Sequence, residues 1–443
     1  MEVRERLAFN GHDVFLIPSD NNTFLLYAPT LKKLLRIRRG VAEWLTRYGI
    51  SGAAAHPAAS RVALLLQRML SEAAQPIATP LTESRFFHLA LGLTKDCTLR
   101  CLYCHANAGD RDAMPREVLE GAVQHAFERA GGKGLRGVNV SFAVGGEPTT
   151  DWSLFAFCVG LLRRSSERYG APVHLSMTTN GYYGELQRQF IVEHFDNILL
   201  SLDGPPEIQN LQRPTKAGAD SYSVVRHSAR AFSRSARSFA IRATVSDRSV
   251  DEMAEIVRFF VAEFGNRYDL VFEPLVLLGR AQANQAIVSE PAKEAFVREY
   301  VRAKEVGKAF GLKVTTSAAN HKRLVSSFCG AMAFPSFTVT TGGLVTTCER
   351  DSDGSSYWYG EFCPETGRFT VDQARVERNR LLLVMPEKCG ECFCRWHCAG
   401  DCPDLREIGY DRCYVNRKLV QYELECLLRG EREGESDGGQ AYE

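Results

Sequence analysis

The sequence has almost no charge to spare. Its 54 Lys and Arg stand against 53 Asp and Glu, a formal net charge of +1 over 443 residues. A chain so balanced offers no basic stripe for nucleic acid and no polybasic patch for anionic lipid. It also lacks any run of about 18 apolar residues, the least that crosses a bilayer as a helix. Residues 1–6, MEVRER, carry no hydrophobic core of a secretory signal. The expectation is a cytoplasmic protein with neither membrane nor nucleic acid as partner. Low-complexity tracts are absent until the last residues. The ordinary balance of 45% hydrophobic and 24% charged residues excludes a disordered chain.

Cysteine is what the sequence has in excess. There are 14, of which three fall within 97–104 and nine within 329–413, with only Cys158 and Cys426 elsewhere. In a reducing compartment such density points to metal binding rather than to disulfides. Two candidate metal regions are thus separated by a long cysteine-poor stretch.

That stretch and its flanks divide by pattern. Residues 1–84 read as a small module. Apolar runs at 14–17 and 23–27 flank Ser-Asp-Asn-Asn, a hairpin turn. Leu31, Leu34, Leu35, Val41, Trp44, Leu45 and Tyr48 then recur at helical spacing, a second helix is expected over 62–70, and 73–82 reads as a linker. Over 85–318, short apolar or β-branched runs at 87–94, 138–144, 173–178, 198–202, 239–245 and 270–277 alternate with helical segments at 116–130, 153–169, 183–194, 221–233 and 250–264. A further helix is expected over 290–310. This is an α/β pattern of βα units on a parallel sheet, barrel-like or doubly wound, whose functional edge lies at the C-terminal strand ends. Residues 319–430 lose the alternation and form a loop-rich region that metal ligation would stabilise. The acidic, glycine-rich 431–443 reads as a disordered tail.

Cys97-x3-Cys101-x2-Cys104 follows the first strand of the series. Zinc would want a fourth ligand, and His105 adjoins Cys104 too closely to serve easily. Three thiolates on a 4Fe–4S cluster instead leave one iron open. Gly145-Gly146-Glu147-Pro148 follows the second strand, and there glycine permits close backbone approach while Glu147 offers an acceptor to an ammonium. Thr179, Asn180 and Gly181 follow the third strand; Ser201, Asp203 and Gly204 follow the fourth; Arg213-Pro214 comes after. Asn-Gly and Asp-Gly also serve as tight turns at strand ends.

These motifs, over residues 87–415, closely resemble the radical S-adenosylmethionine (SAM) superfamily. The resemblance implies a partial (β/α)6 TIM-like barrel. It implies that Cys97, Cys101 and Cys104 hold a 4Fe–4S cluster. SAM would be bound by Gly145, Gly146, Glu147, Pro148, Thr179, Asn180, Ser201, Asp203 and Arg213, with Tyr103 beside the adenine. Arg213 as an ordinary surface residue and Tyr103 as a packing residue are the plain alternatives.

A second long pattern lies downstream: Cys329-x13-Gly343-x4-Cys348, then Cys389-x2-Cys392-x5-Cys398-x3-Cys402, then Cys413. It resembles a SPASM domain, which carries auxiliary 4Fe–4S clusters. The resemblance assigns Cys389, Cys392, Cys398 and Cys413 to a distal cluster. Cys329, Cys348 and Cys402 would belong to one nearer the SAM site, making three clusters in all. Residues 331–347 hold no cysteine to complete that nearer set, which leaves its fourth ligand unassigned. Cys363 and Cys394 are candidates for recruitment, while Cys158 and Cys426 read as small buried hydrophobes.

The family's chemistry begins with an electron from the first cluster cleaving SAM to a 5′-deoxyadenosyl radical, which removes hydrogen from an unactivated C–H bond. Auxiliary clusters imply net oxidation, so the expected activity is that of a peptide maturase. It would install a C–C, C–O or thioether crosslink in a precursor peptide, with SAM as co-substrate and flavodoxin or ferredoxin as electron donor. Residues 1–84 would recognise the leader by strand addition to the hairpin edge. Alternatives are a formylglycine-forming maturase of sulfatases, a small-molecule enzyme, and a noncatalytic Fe–S or zinc scaffold. The sequence names no catalytic base.

Overall fold

The computed structural model describes residues 6–9, 12–52, 68 and 84–430. The expected linker at 73–82 and the tail lie outside these residues, as does the helix at 62–70 apart from Arg68. The chain forms two compact units, one of Met1–Thr82, Ala318–Ala333 and Leu382–Glu443, the other of Glu83–Ser317 and Phe334–Leu381.

In the first unit β1 (Arg6–Phe9), β2 (His12–Pro18), β3 (Thr23–Ala28) and β4 (Lys33–Arg38) form an antiparallel meander in chain order. The β2–β3 hairpin turns where expected. The Asp20 carboxylate accepts from the backbone N–H of Asn22 and Thr23, both at 2.7 Å, the local bonding that makes Asp a turn residue. The helix expected from Leu31 instead begins at Arg39, because residues 33–38 are strand. Their side chains divide as a strand's must. Leu35 and Ile37 pack on one core, and Leu34 on another.

Those two cores explain the sheet. Val14, Leu16, Phe24 and Leu26 meet Ala42 and Leu45 of the helix Arg39–Gly52 on one face. Phe15, Ile17, Leu25 and Tyr27 on the other face meet Ala319, Phe393, Cys394, Cys398, Val420 and Leu424. The N-terminal module thus shares its core with the cysteine-rich C-terminal segment. Both hairpin strands are interior to the sheet, so its outer strands are β1 and β4, contrary to the expected free hairpin edge.

The second unit holds β5 (Phe87–Leu91), β6 (Val138–Phe142), β7 (Val173–Thr179), β8 (Asn197–Ser201), β9 (Ser238–Val245), β10 (Asp269–Pro274) and β11 (Lys313–Thr315), parallel and neighbouring in sequential order. Helices Arg116–Gly132, Trp152–Tyr169, Glu185–His194, Tyr222–Ser233, Met253–Phe264 and Lys293–Phe310 lie between them. Sequential order rules out a doubly wound sheet, whose strand order reverses. Right-handed crossovers repeated in one direction keep the helices on one face, and strand twist curls such a sheet into a partial barrel. In the helix Met253–Phe264 the apolar residues Met253, Ile256, Val257, Phe260 and Phe264 form one buried stripe.

On the other side of β5 the sheet continues through β12 (Phe337–Val339), which is parallel to β5. It ends in the antiparallel β13 (Leu344–Thr346), β14 (Trp358–Cys363) and β15 (Arg368–Val371). Residues 334–381, expected within the loop-rich domain 319–430, therefore extend the barrel's sheet. Among the described residues no helix is long and apolar enough to cross a membrane.

Candidate active site and cysteine sites

Parallel strands deliver their C-terminal ends to one edge, and the sequence motifs ride on those ends. The loop Cys97–Cys104 follows β5, Gly145–Pro148 follows β6, Thr179 closes β7 and Ser201 closes β8. The cysteine loop is clamped from two later segments. Arg100 N–H donates to Pro214 O at 2.7 Å and Leu102 N–H to Gln212 O at 2.9 Å. After β10, Arg280 donates through its backbone N–H to Cys104 O (3.0 Å) and through Nη1 to Cys101 O (2.9 Å), and Asn284 Nδ2 donates to Leu102 O (2.8 Å). Gly279, at φ +53°, allows this approach, since a Cβ there would lie 2.6 Å from Cys104 O. Neither Arg280 nor Asn284 carried any signal in the sequence.

The glycines of the GGEP segment press against the same loop. Gly146 N–H donates to Thr94 O and Glu147 N–H to Asp96 O, both at 2.8 Å. A Cβ on Gly146 would sit 2.0 Å from Asp96 O, so only glycine fits. Pro148 opens a buried 3-10 turn, Pro148–Thr150. The buried Glu147 carboxylate accepts from Asn180 N–H (2.7 Å), Thr149 Oγ1 (2.8 Å) and Thr179 Oγ1 (3.0 Å). Burial raises its pKa, while these donors oppose the rise. Asn180 in turn donates through Nδ2 to Thr98 Oγ1 (3.0 Å) and to Cys97 Sγ (3.5 Å).

Asp203 is the second hub. It accepts from Gln212 Nε2 at 2.8 Å, Thr244 N–H at 2.9 Å and the Tyr103 hydroxyl, and pairs with Arg213 Nε at 3.1 Å. Arg213 lies over the Tyr103 ring at 5.1 Å and reaches Cys101 Sγ at 3.8 Å. Burial alone would lower the Arg213 pKa, but Asp203, with Tyr103 and Cys101, raises it. Ser201 is buried beside this group in sequence. Arg213 is therefore no surface residue, and Gln209 and Gln212, unremarked in the sequence, brace the turn.

Burial pushes the Cys97 thiol up to about 12 and the Cys101 thiol up to about 11. Thiols so placed stay neutral on their own and ionise readily only on a coordinated cation, which suits a metal cluster donor set. Among the described residues no three Cys, His, Asp or Glu side chains converge on the position of a single ion. A polynuclear cluster is gripped at separate iron corners, a wider spacing than one ion needs.

A further buried polar set involves residues of β6 and β9. Burial raises the Glu349 pKa, opposed by a hydrogen bond from Ser141 of β6 and by the charge of Arg242 of β9. Next to Cys104, His105 is pushed down to about 4 by its surroundings and by Arg350 and Arg242. Of these residues only His105 stands out in the sequence, as a neighbour of Cys104.

In the first unit Cys329 senses the charge of Cys402 and Asp404. Cys389 is coupled to Cys392, and Cys398 to Cys413 and Cys389, while Cys394 feels Cys392, Cys398 and Cys413. Cys389, Cys392, Cys398 and Cys413, together with Cys394, thus form one connected set of mutually interacting thiols. Burial pushes the Cys413 thiol up to about 11, again the state a cation would reverse. Cys394 donates to Asn416 O at 3.5 Å. Cys348 follows β13 in the other unit, and Cys363 ends β14 beside Glu365 at 3.0 Å. Cys158 is fully buried, whereas Cys426 is part-exposed and lies 3.1 Å from Arg429 Nη2.

Comparison with known proteins bears on the same residues. The family described as the radical SAM superfamily matches residues 91–260. A cysteine-type anaerobic sulfatase-maturating enzyme of Clostridium perfringens is 31% identical over 173 residues, 37% of this chain and 45% of that enzyme. The chain thus matches less than half the length of that relative. A serine-type counterpart from Klebsiella aerogenes is 24% identical over 365 residues, 79% of this chain and 87% of the relative. Native anSMEcpe with bound AdoMet and Cp18Cys peptide has a similar structure, with TM-score 0.60 and 19% identity over 78% of this chain and 99% of that one. Streptococcus suis SuiB bound to precursor peptide SuiA gives TM-score 0.51 and 15% identity over 91% of this chain and 97% of that one.

Proposed function

With residues 91–260 forming a radical SAM domain, we propose that this chain is a radical SAM peptide maturase carrying out a net oxidation of a precursor peptide. Such a domain implies a 4Fe–4S cluster and SAM, which together supply a 5′-deoxyadenosyl radical able to remove hydrogen from carbon. The observation that carries the reading is the meeting of Cys97, Cys101 and Cys104 with the loops after β6, β7 and β8 on one sheet edge.

In this reading Cys97, Cys101 and Cys104 hold that cluster. Gly145, Gly146, Pro148, Thr179, Asn180 and Ser201 border the SAM site, and Tyr103 lies on its adenine side. Glu147 and Asp203 already accept several internal donors, so they act chiefly by holding Asn180, Tyr103 and Arg213 in place. Cys389, Cys392, Cys398 and Cys413 hold the auxiliary cluster called distal, and Cys329 and Cys402 contribute to a second. Charged and polar side chains of the buried set, Glu349 and Arg242 among them, orient the substrate and exclude stray hydrogen donors.

The peptide substrate is supported by the relatives, which modify sulfatases, and by similar folds described with bound peptides. Residues 1–84 would recognise the leader through the sheet's outer strands, by main-chain pairing. Reduced flavodoxin or ferredoxin would supply electrons. The sulfatase-maturating relatives favour formylglycine formation as a second reading. Anaerobic incubation with SAM, reductant and candidate peptides separates the two. Loss of two hydrogens with a new crosslink in tandem mass spectra supports the first, and an aldehyde at Cys or Ser the second. Failure to form 5′-deoxyadenosine from SAM would reject both.

A further inference from the structure

Between Cys398 and Cys402 the backbone takes three consecutive residues of positive φ: Ala399 at 45°, Gly400 at 84° and Asp401 at 65°. Side-chain-bearing residues adopt this conformation only where surrounding contacts impose it. The contacts here centre on Asp401. It accepts from Arg412 Nε (3.0 Å) and from Asn416 Nδ2 (3.1 Å), both buried, and from the part-buried Cys402 N–H (2.7 Å).

Asn416 is 1% exposed and its carboxamide has one permitted orientation. Oδ1 accepts from the Ala319 backbone N–H at 2.9 Å. Turning the amide over would set two donors against each other there and an oxygen against the Asp401 carboxylate. Nδ2 therefore faces Asp401, and its second hydrogen points to Cys398 Sγ at 3.3 Å.

We propose that Asn416 is a positioning residue that raises the reduction potential of the distal cluster by donating a hydrogen bond to the Cys398 sulfur. This rests on the reading that Cys398 is a ligand of that cluster. Reduction adds negative charge to the cluster and its thiolates, and a donor aimed at sulfur stabilises the more negative form. In a dry site no water competes for the sulfur, so the bond keeps its strength. Asp401 and Ala319 fix the amide so that this donor cannot turn away. Arg412 compensates the Asp401 charge, which would otherwise oppose reduction. The consequence is a better electron acceptor for a net oxidation.

The test uses the full-length Cys97→Ala/Cys101→Ala/Cys104→Ala protein, anaerobically reconstituted, so that only C-terminal clusters contribute. Redox titration followed by electron paramagnetic resonance is compared for this parent, Asn416→Leu and Asn416→Gln. The expected result is unchanged iron, a lower midpoint potential for one cluster in Asn416→Leu, and partial or full recovery in Asn416→Gln, which keeps the carboxamide. Full iron with an unchanged potential in Asn416→Leu overturns the inference. Should Asn416→Leu fail to hold iron, the parent decides the matter: after 15N-asparagine labelling, the reduced cluster should show 15N hyperfine coupling in electron–nuclear double resonance. Its absence overturns the inference. A parent with no C-terminal iron rejects the ligand assignment itself, a different failure recognised by the metal count.

Discussion

Arg213 Nε stands 3.1 Å from Asp203 Oδ1, a pair with side chains 9% and 0% exposed. Both belong to the chain following β8, on either side of the helix Pro206–Gln212. The same guanidinium covers Tyr103 and reaches toward Cys101, so one buried ion pair ties the cysteine loop to the fourth strand end. Such a pair holds geometry more than it adds stability, because desolvating both charges offsets much of their attraction.

Breaking it from one side should be costly. Arg213→Met leaves a buried carboxylate without its cation and should destabilise the fold by about 3–5 kcal/mol. Arg213→Met/Asp203→Asn should cost less than the two single changes added together, because the partners are coupled. Thermal unfolding of the four proteins checks this, and strictly additive losses would show that the pair is not coupled.

Gly146→Ala should lower SAM cleavage by about a hundredfold, the penalty typical of a displaced catalytic group. The added Cβ meets Asp96 O, a backbone atom that moves only with the cysteine loop. Gly132→Ala, where nothing lies within 4 Å, is the control and should leave the rate unchanged. Equal activity of both variants would remove the bracing role assigned to the GGEP segment.

Replacing Cys97, Cys101 and Cys104 together by alanine should abolish 5′-deoxyadenosine formation while leaving C-terminal iron in place. The wild-type protein should hold about 12 irons and this variant about 8, for clusters of four. Cys389→Ala/Cys392→Ala should also fall to about 8 but keep uncoupled SAM cleavage. Iron analysis and chromatography of the nucleoside read both outcomes. Undiminished cleavage in the triple variant would reject the assignment of that site.

His125 stacks on Phe337 of β12 at 4.4 Å, and burial, helped by Arg129, pushes its pKa down to about 4. In the unfolded chain imidazole protonates at about 6.5. Between these values, as pH falls, the unfolded state takes up a proton that the folded state refuses, so stability is lost through that window. Above pH 6.5 neither state is protonated and the effect vanishes. His125→Phe should flatten the fall in melting temperature between pH 6.5 and 4, measured beside wild type. An identical slope in both would assign the acid sensitivity elsewhere.

The sequence by itself determined the alternation of strands and helices from β5 to the helix Lys293–Phe310, because period and chain order are local properties. It also determined which loops carry the cysteines and the GGEP segment, since parallel strands joined in order leave their C-terminal ends together. Other features needed contacts distant in sequence. Residues 33–38 have apolar spacing compatible with a helix, and became strand because β3 offers a partner and two cores await their side chains. Residues 334–381 joined the barrel's sheet because β12 pairs with β5, some 250 positions earlier. Glu147 and Asp203 were visible as motif residues, but the donors that saturate them come from Thr149, Thr179, Asn180, Tyr103, Gln212 and Thr244. Asn416 carries no motif, and its place against Cys398 arises only when the helix Cys413–Leu428 packs across the strained turn 399–401. Spacing reports what the chain brings near itself within a turn or a strand. Which donor meets which buried acceptor is decided when distant segments close on one another and exclude water, because there an unmet polar group is expensive.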